Sequence, residues 1–66
     1  MIYKVQGYEE IDPGNWGWSL VGTFAYGTEA GKWAKQRSRR TDRAHRVIGV
    51  ERSTGKEEVL VEFNIK

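Results

Sequence analysis

No cysteine occurs among the 66 residues, so the chain has neither a disulfide nor a thiolate metal ligand, and apolar packing must hold the fold. That absence suits a reducing compartment. With one histidine, His45, a structural zinc site and a Cys–His nucleophilic pair are both out of reach, and the expected imidazole is a solvated or capping one. No stretch approaches the roughly 20 consecutive apolar residues of a membrane span, and the start, MIYKVQGYEE, lacks the basic start and apolar run of a signal peptide. The expectation is a soluble, unprocessed, cytoplasmic protein with no membrane attachment, cofactor or metal.

Catalytic motifs are missing as well. The glycines at 14, 17, 22, 27 and 31 match neither G-x-G-x-x-G nor a P-loop, and Ser19, Ser38 and Ser53 have no G-x-S-x-G setting. Two acidic groups, Glu9, Glu10 and Asp12 and then Glu57 and Glu58, flank expected turns, where charge ordinarily protects strand edges. No enzyme is expected.

What the chain does have is aromatic residues, eight of them, and a strongly uneven distribution of charge. Sixty-six residues make one domain, residues 1–66, close to the lower size limit for a core without staples. Such a domain rarely nets more than about 3–5 kcal/mol. The segment from Lys32 to Arg46 carries seven cations and one acid, Asp42, for a net +6, while the remainder of the chain sums to −4. A molecule polarised in this way orients toward an anionic partner.

The order of elements follows from periodicity. Ile2 to Ile11 alternates with Tyr3 and Val5 on one face, as a half-buried strand does, and Gly7 marks a bulge or bend. Asp12-Pro13-Gly14-Asn15 is a turn. Trp16, Trp18, Leu20, Gly22 and Phe24 then alternate with Gly17, Ser19, Val21 and Thr23 in a second strand that Gly27 closes. Thr28 and Glu29 suit a helix start, and Ala30, Trp33 and Ala34 share one sector of a helix running to about Arg40, extended by the stem of Arg37. Lys32, Lys35, Gln36 and Arg39 point the opposite way, joined by Arg43 if the helix reaches it. No glycine stops this helix, which leaves its end between Ser38 and Ala44. Strand character returns from His45 to Arg52, Ser53-Thr54-Gly55-Lys56 turns, and Glu57 to Ile65 sets Val59, Val61, Phe63 and Ile65 on one apolar face.

The expected architecture is α+β, ββαββ: a four-stranded sheet of two antiparallel hairpins with one helix packed on one face. A helix of about twelve residues rises about 18 Å, enough to bring the third strand back parallel to the second. An order of 2-1-4-3 would centre the most apolar strand, the last, with 1-2-3-4 as the alternative.

Function is read from the basic segment. Lys32 to Thr41 contains no acid to relieve repulsion among its cations, and like charges at helical spacing cost a few tenths of a kcal/mol per pair. A partner's negative charge would relieve that cost. The expectation is a non-enzymatic binding protein whose helix and following loop contact nucleic-acid phosphates through Lys32, Lys35, Arg39, Arg40, Arg43 and Arg46, with Arg37 and Gln36 assisting. Trp16, beside the glycine-rich turn, is either an exposed aromatic contact or core, Trp18 is expected in the core against Trp33, and Tyr8 and Tyr26 stay open. The rival is a protein-interaction module or small inhibitor or adaptor docking on an acidic protein surface, in the style of small proteins from phages and other mobile elements.

Overall fold

A computed structural model describes residues 1–64. Five elements follow in the order β1 (Ile2–Asp12), β2 (Asn15–Phe24), α1 (Gly27–Thr41), β3 (His45–Val50) and β4 (Glu57–Phe63). This is the expected ββαββ arrangement, a single four-stranded antiparallel sheet with one helix.

Local chemistry fixes the two hairpins. Asp12 faces Asn15 across Pro13 and Gly14, and Gly14 adopts φ 84°, the positive value that the second central residue of a type II turn takes. At the other end Gly55, at φ 72°, donates its N–H to the Glu51 carbonyl at 2.8 Å, and Glu51 donates to the Lys56 carbonyl at 2.9 Å. The helix begins earlier than Thr28: Tyr26 is extended and occupies the cap, and its carbonyl accepts from Ala30 at 3.1 Å. The Thr28 side chain makes no cap. The helix ends at Thr41, where Asp42 turns left-handed at φ 53°, so Arg43 lies beyond it.

Strand order departs from expectation. The sheet runs β2-β1-β3-β4, with β3 rather than β4 beside β1. Burial explains the choice: Val47 points to the helix and Ile48 to the opposite face, both buried, so β3 is apolar on two sides, which favours a central position over an edge. β4 brings Glu57, Glu58 and Glu62, which tolerate an edge. Its apolar face is also broken. A register shift at Leu60 pairs Val61 with Val47 but Val59 with Ile48 on the far side, and both valines stay exposed. Phe63 does reach the core; Ile65 lies outside the described residues. Because β2 and β3 each run antiparallel to β1, they run parallel to each other, as the helix length required.

The core lies between helix and sheet. Val5, Ala30, Ala34 and Val47 are fully or nearly fully buried, with Tyr3, Val21, Phe24, Trp33 and Phe63 packed around them. The small helix residues bring α1 close to the sheet, and Trp33 fills the flank against Phe24 at 5.4 Å between ring centroids. Gly22 leaves the space for that pair: a β-carbon there would stand 3.0 Å from Phe24 and 3.1 Å from Trp33. Gly7 does the same for His45 and is not a bulge; the irregularities fall at Val21 and Ile11.

Candidate nucleic-acid interface

The irregularity at Val21 decides what the second face of the sheet carries. Side chains alternate along a strand, so Phe24, Gly22, Leu20, Trp18 and Trp16 would share one face if β2 were regular. Val5 pairs with Gly22 but Gln6 with Leu20, leaving Val21 as an extra residue. One inserted residue exchanges the two faces beyond it. Gly22 and Phe24 consequently face the helix, whereas Leu20, Trp18 and Trp16 lie beside Gln6, Tyr8 and Glu10 on the open face. The expected packing of Trp18 against Trp33 does not occur; the two lie on opposite sides of the sheet. Trp16 takes its exposed alternative, with 47% of its surface accessible.

Two arginines meet these rings. The α1–β3 loop brings the Arg43 guanidinium carbon to 4.6 Å from the Trp16 ring centroid, and β3 brings that of Arg46 to 4.1 Å from Trp18. Both are well within cation–π range. Arg46 is further oriented by donating its Nε–H to the Gln6 side-chain carbonyl at 2.7 Å. Tyr8 sits between the tryptophans, edge-on to Trp18 at 5.4 Å and nearly parallel to Trp16 at 6.1 Å. Its backbone N–H donates to the Ala44 carbonyl at 2.8 Å, tying β1 to the loop that carries Arg43.

His45 anchors the same loop from the other side. It is buried, at 2% exposure, rather than solvated, and its Nδ1–H donates to the Arg43 carbonyl at 3.0 Å. Its Nε2 is buried without a hydrogen-bond partner among the described residues, against the bare α-carbon of Gly7. The loop is thus held by backbone and imidazole alike, and Arg43 projects from a fixed base.

Beside the aromatic rings a cleft of about 470 Å³ opens, with Tyr8, Trp16 and Trp18 on one wall and Asp42, Arg43 and Asn64 on the other. A second cleft of about 380 Å³ lies between the last turns of α1 and the end of β4, lined by Lys35, Ser38, Arg39 and Phe63 and again by Asp42 and Asn64. The two meet where the Asn64 amide donates to the Asp42 carboxylate at 3.4 Å.

The six expected cations therefore fall into four places. Arg43 and Arg46 stand at the aromatic face and Lys35 and Arg39 beside the second cleft. Lys32 is exposed one turn earlier on the helix, and Arg40, by helical rotation, lies on the flank toward Trp33 and away from both clefts. Arg37 stacks at 5.6 Å over Trp33 instead of facing a partner. Among the described residues the one ion pair joins Lys4 to Glu57 at 3.3 Å, so none of the six cations is paired with an acid. Tyr8, left open by the sequence, joins the aromatic face, whereas Gln6, Asp42 and Asn64 were not legible as site residues. Gln6 and Arg46 meet across forty positions of sequence, and no local pattern announces such a contact. No helix among the described residues is long and apolar enough to cross a membrane.

No protein-family model, curated protein or solved structure matches this chain.

Proposed function

We propose that this chain is a non-enzymatic nucleic-acid-binding module whose contact surface centres on the open face of the sheet. The observation that carries the reading is the pairing of Arg43 with Trp16 and Arg46 with Trp18 on the face of the sheet opposite the helix, with neither arginine paired with an acid among the described residues. Aromatic rings offer bases a surface on which to stack, worth about 1–3 kcal/mol per base, while guanidinium groups beside them take phosphates or stack in turn. The basic helix row adds long-range attraction.

Tryptophan fluorescence reads the contact directly, because Trp16 and Trp18 stand at the proposed surface. Mixed oligonucleotides should quench it at low salt. About four phosphate contacts on a single strand, at about −0.7 each in the log–log salt plot, would cost about fiftyfold in affinity between about 50 and 200 mM salt. A flat salt titration, or no quenching, overturns the reading.

One feature favours a second reading, a protein-docking module. The edge strand β2 has no ionisable side chain from Asn15 to Phe24, and Leu20 within it is 56% exposed. Uncharged edges accept an added strand. Oligonucleotide titrations that fail would leave this reading standing.

A further inference from the structure

We infer that the nucleic acid this surface takes is a single strand, and that its backbone leaves the aromatic cleft over the Asp42–Asn64 contact to reach Lys35 and Arg39. The inference rests on the nucleic-acid reading above and adds strandedness and path. The two clefts share Asp42 and Asn64, which touch each other, so they adjoin at that contact around the α1–β3 end of the molecule. One end offers rings for bases, the other cations for phosphates. A base pair buries its faces within the duplex stack, so rings at the sheet surface engage bases only when these are unpaired. Lys35 and Arg39 stand one helical turn apart along the second cleft, on the same side of α1. Arg40 does not line either cleft, although sequence alone gives it the same claim.

Asp42 makes the path testable, being the one acid in the basic segment and sitting at the junction of the clefts. A phosphate crossing there meets a like charge, and removing that charge should tighten binding.

The experiment titrates single-stranded oligonucleotides of about eight nucleotides, DNA and RNA, and the matching duplexes, by tryptophan quenching across a salt series. Lys35→Gln with Arg39→Gln should make the salt slope shallower by about 1.4, two contacts' worth, while quenching at saturation persists because the aromatic cleft still fills. Arg40→Gln with Arg52→Gln, the same change in net charge off the groove, should leave the slope as it is. Asp42→Asn should bind severalfold tighter, and duplexes at least tenfold weaker than single strands. Equal slopes for the two double variants, an indifferent Asp42→Asn or a preference for duplex overturns the path or the strandedness while leaving the nucleic-acid reading intact. No quenching by any probe overturns that reading, and this inference with it.

Discussion

Trp33 and Trp16 show how differently one residue type is used across a single sheet. Trp33 wedges between helix and sheet against Phe24, over the space that Gly22 leaves free. Truncating it to alanine should remove about 3 kcal/mol, the low end for a large aromatic because it is only half-buried. A domain of this size has little more than that to lose. Trp33→Ala should consequently be largely unfolded, with collapsed NMR dispersion. Trp16→Ala, on the open face, should shift stability by no more than about 0.5 kcal/mol and yet weaken oligonucleotide binding by about tenfold, one stacked base's worth. A Trp16→Ala variant that melts early but binds normally would contradict both assignments.

The end of α1 is the element on which the groove depends. Its last turn carries Arg39 and Arg40, favourable at the negative end of the helix dipole, but the residue that leaves the helix, Asp42, is an acid in left-handed backbone. Both features cost stability. Asp42→Gly should therefore raise the unfolding free energy by about 0.5–1 kcal/mol, measurable by urea titration. A loss of stability instead would show that the contact with Asn64 outweighs the backbone strain. At the far hairpin Gly55→Ala should cost about 1 kcal/mol, since φ 72° there suits glycine and an added methyl gains nothing to pack against.

Across the whole molecule, charge reversal at the groove end and at the β3–β4 end tests which of the two carries the interface. Arg43→Glu with Arg46→Glu should abolish oligonucleotide binding with little loss of secondary structure, because both side chains stand on the open face. Glu57→Lys with Glu58→Lys, at the start of the exposed edge strand β4, should leave binding undiminished. Glu57 forfeits only a surface ion pair with Lys4, worth under about 1 kcal/mol. The converse pattern, acidic reversals abolishing binding and basic ones sparing it, would put the interface elsewhere.

Features that depend on a few neighbouring residues were legible from the chain alone. Pro13-Gly14 and the turn ending at Gly55 follow from backbone preferences, Ala30, Trp33 and Ala34 name the buried side of the helix, and the parallel run of β2 and β3 follows from helix length. The concentration of cations between Lys32 and Arg46 was equally plain. Tertiary structure alone decided which of those cations lie together and where the tryptophans point. A bulge is one residue of mismatch between two strands, so the extra Val21 leaves no mark on β2 itself, yet it exchanges the faces of Trp16 and Trp18. Strand order is likewise a choice among partners distant in sequence: the apolar count favoured β4 for the centre, but burial on both faces goes to β3, whose Val47 and Ile48 point opposite ways, and the glutamates leave β4 at the edge. The sequence by itself determined the elements and the charge, because these rest on local conformation and composition; the site arose from pairing between distant strands, which only the folded sheet specifies.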